Sequence, residues 1–239
     1  MLFQSIPGFR YIRNWLNPEL NNILWNQGID LYRRIEALRL DPDQKVKSYV
    51  SQHHNMNHRA PNRYQSHRDK YQLIHFKECE KTISCQVFDR YSQDGHWLGQ
   101  FNVGFIPGFI HNIIVDRLTR MPEFMDRPGG GFNVTLNVYH VVNGKIAGFN
   151  AHRDIGSKRD RTAVVNIGAS SRIILERIDN PSDKMFVNLP SGSIYILSDE
   201  ARNDWRHQKD AVETNLANGT VAGISYAVGY KFPEEIESK

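Results

Sequence analysis

LNVYHVVNGKIAGFNAHRD, residues 136–154, is the stretch on which the reading of this chain turns. It leads from a β-rich run (Phe132 to Tyr139) through the Gly148-Phe149 approach to His152-Arg153-Asp154. Side chains alternate along an extended backbone, so His152 and Asp154 point to the same side and can face one ion. His207, in Trp205-Arg206-His207, follows about fifty residues later, far enough for a sheet to fold back and bring a third ligand from another strand. Two imidazoles and one carboxylate hold one face of a ferrous ion and leave the opposite positions open, unlike a four-ligand structural site. The expectation is a catalytic iron centre built from His152, Asp154 and His207. A second His-x-Asp, His67-Arg68-Asp69, lies among charged residues with no strand to serve as a rigid platform.

Downstream, short β-rich runs continue at Ala163 to Ile167, Arg172 to Ile178, Lys184 to Leu189, Ser193 to Leu197 and Ala222 to Tyr230, separated by turn residues. Upstream the period changes. Asn17-Pro18-Glu19 opens a helix carrying Leu20, Ile23, Leu24, Gln27, Leu31, Ile35 and Leu38 as a stripe, ended by Leu40-Asp41-Pro42-Asp43. A second helix is expected from Phe109 to Met121, with Ile110, Ile113, Ile114 and Leu118 buried, before Gly129-Gly130-Gly131 breaks the chain. Two helices followed by many short strands predict an α+β fold: a double-stranded β-helix, or jelly roll, with N-terminal helices packed on one sheet. One domain over 1–239 is expected, divided into helices plus a basic substrate-recognition lid at 1–125 and a jelly-roll catalytic core at 126–239.

Hydrophobic content of 40% with 23% charged residues is ordinary for a globular protein. No apolar run is long enough to cross a bilayer, and residues 1–16 lack the apolar core and cleavage site of an export signal. The two cysteines, Cys79 and Cys85, form neither a disulfide framework nor a CxxC zinc pair, which fits a reducing compartment. A cytoplasmic location is expected, or a nuclear one in a eukaryote.

Charge is distributed unevenly. Lys45 to Lys77 holds seven Lys/Arg against one acid, Asp69, while the whole chain carries only +4. Aromatic residues and histidines are interleaved there, a mixture that tracks phosphates while stacking on bases. A solvated basic loop accounts for the same composition. If the segment binds nucleic acid, Lys45, Lys47, Arg59, Arg63, Arg68 and Lys70 would neutralise phosphates, with Tyr64 stacking on an extruded base.

The chain resembles the AlkB-like Fe(II)/2-oxoglutarate-dependent dioxygenases over most of its length. The matching blocks, in order, are IPGFRYIRNWL (6–16), FIPGFI (105–110), the Asn-x-Tyr, glycine and His-x-Asp of 136–154, VVNIG (164–168), and LPSGSIYILSDEARNDWRHQ (189–208). The resemblance implies His152, Asp154 and His207 as iron ligands, and Asn137 and Tyr139 as hydrogen-bond partners of 2-oxoglutarate. It also implies the reaction: the cosubstrate is oxidatively decarboxylated to succinate while a substrate C–H is hydroxylated, and an N-methyl group so treated leaves as formaldehyde. Demethylation of alkylated nucleic acid is the expected function. The alternatives are a hydroxylase or demethylase of a protein or small molecule, and a catalytically silent nucleic-acid-binding module.

Two departures bear on this. The family's last strand carries an Arg-x-Asn-x-Thr-x-Arg pattern whose arginines hold the cosubstrate carboxylates, whereas this chain reads GISYAVGYKF (223–232), with Gly223 and Gly229 at the arginine positions and Ser225 and Ala227 between them. Lys231 is the expected surrogate, with Arg172 and Arg202 as rivals, and Ser225 is expected to contact the cosubstrate as well; Arg202 and Glu200 are expected either to orient the site or to form a surface pair. The second departure follows HRD, where Ile155-Gly156 stands in place of the acidic residue that DNA-repair members often carry.

Overall fold

The computed structural model describes residues 6–40, 85–90, 97–102, 106–125, 131–154 and 156–231. Its strands are β1 (Phe9–Ile12), β2 (Cys85–Arg90), β3 (Trp97–Asn102), β4 (Gly131–Val142), β5 (Lys145–Ile146), β6 (Phe149–His152) and β7 (Arg161–Gly168). They continue with β8 (Ser171–Arg177), β9 (Lys184–Leu189), β10 (Ser193–Leu197), β11 (Trp205–Lys209), β12 (Val212–Glu213) and β13 (Val221–Lys231).

One sheet runs β1-β10-β7-β13-β4-β2-β3, with β5 and β12 appended to β4; the other runs β6-β11-β8-β9. From β4 onward the chain passes repeatedly between the sheets: β4, β7, β10 and β13 lie in the larger, and β6, β8, β9 and β11 in the smaller. That exchange between two sheets of antiparallel core strands is the double-stranded β-helix. Period-2 patterning sorts the side chains. Val134, Leu136, Val138, Ala163, Val165, Ile167, Ile194, Ile196, Ile224, Tyr226 and Val228 pack in one cluster with the helices. Val164, Tyr195 and Leu197 on the opposite face pack against Ile173, Leu175 and Trp205 of the smaller sheet.

The first helix, α1 (Pro18–Leu40), starts where expected: Asn17 Oδ1 accepts the Leu20 amide at 2.8 Å, capping it, and Pro18 sits at a position that needs no N–H donor. Its buried stripe is rotated from the expected one. Leu24, Gly28 and Tyr32 are buried while Gln27 is exposed, because the helix is laid on Tyr226, whose hydroxyl donates to the Leu24 carbonyl at 2.7 Å. A side chain at Gly28 would overlap that hydroxyl, so glycine permits the close approach.

The second helix differs from a regular run over 109–121. An α-turn at Gly108–Ile110 leads into a π-turn at His111–Val115 and a further α-turn at Asp116–Leu118. The extra residue of the π-turn lets both Ile114 and Val115 face inward. The chain leaves the helix before Met121, which precedes Pro122 and is thereby biased away from helical geometry.

The division at 125 is also redrawn. β1 forms one edge of the larger sheet, and β2 and β3 extend the other, β2 running parallel to β4, so segments from before residue 125 supply strands as well as helices. Four residues at β1 carry too little pattern to declare a strand, and β2 and β3 follow a stretch without a clear period.

Candidate metal centre

The three expected ligands converge. In the smaller sheet His207 on β11 is registered directly against His152 on β6, and Asp154 lies two residues beyond the end of β6. The Nε2 atoms of His152 and His207 each lie 3.7 Å from Asp154 Oδ1. All three ligand atoms fall within 4.8 Å of one another. Atoms gathered this closely could share one metal ion, which would be held by the two imidazoles and the carboxylate. Two imidazoles and a carboxylate gathered on one side suit a divalent transition metal.

The surroundings orient each ligand. His152 Nδ1 lies 2.8 Å from the Asn150 carbonyl, to which it donates, so the lone pair is on Nε2, facing the site. Thr162 Oγ1 donates to Asp154 Oδ2 at 2.5 Å, which leaves Oδ1 toward the histidines. Burial opposes a charged Asp154, but His207, His152, the Thr162 hydrogen bond and Arg202 together outweigh it and lower its pKa. Burial also lowers the pKa of His207, against the pull of Asp154 and with Arg202 adding to the effect. A charged carboxylate beside a neutral imidazole is the protonation state that ligates a metal. His207 is 9% exposed at its side chain, against 33% for His152 and 23% for Asp154, so the centre opens on the side of the His-x-Asp pair.

Arg202 lies beneath this centre. It is 4% exposed, donates to the Ser157 carbonyl at 3.0 Å and approaches Asp160 at 3.9 Å, bracing the loop that follows Asp154. These two contacts are to backbone and to a buried acid. Glu200 instead accepts from Trp205 Nε1 at 3.4 Å and lies 3.9 Å from Arg177. Arg172 is turned to the outer face of β8, where it pairs with Asp210 and covers Phe186, so it does not reach the interior.

The expected cosubstrate residues Asn137, Tyr139 and Ser225 come together. Asn137 Nδ2 donates to Ser225 Oγ at 3.4 Å, and the Tyr139 hydroxyl lies 3.0 Å from the same oxygen. Asn137, Ser225, Asn166 and Ser193 form one buried polar row across β4, β13, β7 and β10. Neither Gly223 nor Gly229 is demanded by the backbone, since a Cβ would meet nothing closer than 3.4 Å at the first and 4.0 Å at the second. Lys231 ends β13 opposite Gly131, but its side chain lies outside the described residues. So do Arg59, Arg63, Tyr64, Arg68 and Lys70, together with the rest of the basic segment to Lys77.

Four inward residues escape a sequence reading: Thr162, Asn166, Tyr195 and Lys209. Tyr195 is buried, and that burial, reinforced by Tyr139 and Asp154, raises its pKa well above the usual value. Lys209, two residues past His207, places its Nζ 3.5 Å from the centre of the Tyr139 ring and donates to Asn166 Oδ1 at 3.1 Å. Spacing from His207 was the available signal, since i and i+2 share a face of a strand.

No protein-family model and no curated protein matches the chain. Among solved structures, OsALKBH1 is 13% identical over 95% of this chain and 97% of its own, with a TM-score of 0.45. A prolyl-4-hydroxylase from Pseudomonas putida is 13% identical over 95% and 93%, with a TM-score of 0.44. The QdtA 3,4-ketoisomerase from Thermoanaerobacterium thermosaccharolyticum is 12% identical over 43% and 60%, at 0.26. The strand order of this chain by itself defines the double-stranded β-helix. No helix among the described residues is long and apolar enough to cross a membrane.

Proposed function

We propose that this protein is an Fe(II)- and 2-oxoglutarate-dependent oxygenase that oxidatively demethylates alkylated nucleic acid. The observation that carries the oxygenase reading is the convergence of His152, Asp154 and His207 at one point between the sheets, with its open side on the exposed flank. Ferrous iron bound there with a 2-oxo acid supplies dioxygen activation and hydroxylation of an unreactive C–H bond. The chain's own residues set that chemistry up. Asn150 fixes the His152 tautomer, Thr162 occupies one oxygen of Asp154, and Arg202 braces the loop behind it. Asn137, Tyr139 and Ser225 offer hydrogen bonds to the cosubstrate beside the ligands.

Nucleic acid as the substrate is supported by the excess of Lys and Arg between Lys45 and Lys77. Gly223 and Gly229 in place of paired arginines favour the second reading, a silent nucleic-acid-binding module. Mass spectrometry of methylated RNA, DNA and peptides after incubation with Fe(II), ascorbate and 2-oxoglutarate tests the proposal, with His152→Ala as the blank. Loss of methyl mass from an oligonucleotide supports it. Turnover of peptides alone moves the substrate to protein, and binding of oligonucleotide with no mass change and no succinate leaves the silent module.

A further inference from the structure

We propose that Arg153, Arg206 and Lys158 form a phosphate-binding rim beside the metal triad, taking the backbone of one nucleic-acid strand next to the nucleotide that is oxidised. The proposal rests on the nucleic-acid reading and deepens it with a contact surface outside the Lys45 to Lys77 segment. His152 and His207 oppose each other on β6 and β11. Each has an exposed arginine as its neighbour. Antiparallel register carries Arg206 across from Arg153, the residue that follows β6. Like charges set opposite each other across a strand pair are unfavourable, so the fold gains nothing from the arrangement. An anion seated on the two guanidinium groups removes the repulsion. β6 is an edge of the smaller sheet, so the arginine pair lies at the same edge as the exposed flank of His152 and Asp154.

Lys158 is brought to the same place. The Arg153 guanidinium donates to the Asn203 carbonyl at 3.0 Å, and Asn203 Nδ2 donates to the Lys158 carbonyl at 3.1 Å. Arg202 donates to the Ser157 carbonyl at 3.0 Å, and Asp160 Oδ2 accepts the Ser157 amide at 2.9 Å. The turn between Asp154 and β7 is thereby fastened to the short helix Asp199–Asn203, with Lys158 exposed on it. A backbone ordered in advance lowers the entropic cost of binding. The neighbouring acids are engaged by other cations. Asp160 lies 3.9 Å from Arg202, Asp199 lies 3.3 Å from Arg161, and Glu176, across from Arg206 on β8, lies 2.7 Å from Lys184. Asp204 is exposed and offsets one of the three charges. Guanidinium forks match the oxygens of a phosphate, and a strand running along this edge passes the open side of the metal centre.

The test follows binding of a fluorescein-labelled single-stranded oligonucleotide to the full chain loaded with Ni(II), by anisotropy over a range of salt concentrations. Replacing Arg153, Arg206 and Lys158 together by Gln should weaken binding about ten- to a hundredfold and flatten the slope of log K against log salt by about 2, the loss of three single-strand phosphate contacts. Ni(II) affinity should be unchanged. Arg206→Gln alone should flatten the slope by about 0.7, and serves if the triple variant does not melt cooperatively. Arg153→Lys combined with Arg206→Lys should keep the wild-type slope. Lys145→Gln removes an exposed charge at the Val142 end of β4, whereas Asp154 and Thr162 lie level with Asn133 near its start; it should change neither affinity nor slope. A triple variant with wild-type affinity and slope overturns the rim while sparing nucleic acid as the substrate. A wild type that binds no oligonucleotide at low salt overturns both. An equal loss in Lys145→Gln reduces the effect to net charge and overturns the rim. Displacement of the oligonucleotide by polyglutamate of equal charge and concentration also overturns it, and makes the partner an acidic protein.

Discussion

His152 and His207 are directly opposed residues of two paired strands, their rings 4.1 Å apart at the centroids and inclined by 56°. Antiparallel pairing puts opposed side chains within about 5 Å at Cβ, so register alone brings together two ligands separated by half the jelly roll in sequence. With Asp154 two residues further on, one strand pair and one turn assemble the whole triad. Removing either histidine should therefore weaken Co(II) or Zn(II) binding by more than about a hundredfold, beyond what loss of an outer partner costs. Isothermal titration of the two alanine variants decides it; stoichiometric binding at wild-type strength would show that the cluster is not the metal site.

Thr162 divides the labour of the Asp154 carboxylate by engaging Oδ2 and leaving Oδ1 toward the histidines. Thr162→Val keeps the shape of the side chain and removes the donor. Metal affinity should drop about ten- to a hundredfold, with little change in the folded strand pairing. The check is metal titration alongside circular dichroism, and an unchanged affinity would mean that Asp154 is oriented by something else.

The triad was legible because its grammar is local: an i, i+2 pair on extended chain, then a histidine in a later strand. The polar row was largely legible, since Asn137 and Tyr139 stand in a recognisable block and Ser225 in the segment at the place of the arginine pattern, whereas Asn166 joins them only through strand register, a long-range property. Lys209 looks, in sequence, like any solvated strand lysine between Gln208 and Asp210. Its direction is revealed only by the pairing of β11 with β6 and β8. Arg172 and Arg202 looked equivalent for the converse reason: nothing local separates an outward strand position from the buried end of a short helix. The basic segment, legible as charge, lies outside the described residues.

Gly28 is one of the points at which α1 touches the larger sheet, and the sign of its replacement is set by two opposed effects. Alanine in a helix gains about 0.5–1 kcal/mol over glycine. Here its methyl would overlap the Tyr226 hydroxyl, threatening the bond to Leu24 and straining a packed core at about 1–3 kcal/mol. Gly28→Ala should thus be net destabilising in urea unfolding. In a Tyr226→Phe background, which removes the hydroxyl, the same change should cost measurably less; additive effects would place the clash elsewhere.

Acid should destabilise the metal-free protein in two stages. The folded pKa of His207 is lowered below its ordinary 6.5, so between those two values the unfolded chain binds a proton that the native one excludes. Its contribution is whole above about pH 6.5 and is lost as pH falls through the folded value. Asp154, also lowered, adds a second loss below its ordinary 3.8, as its carboxylate is protonated. Neither contributes an opposite slope, so melting temperature should decline from pH 7.5 to 5.5 and again at stronger acid. Replacing His207 by Leu, which fills the site without titrating, should flatten the first decline. A leucine variant with the full wild-type slope over that window would assign the acid sensitivity to another group and leave the buried imbalance at His207 without consequence for folding.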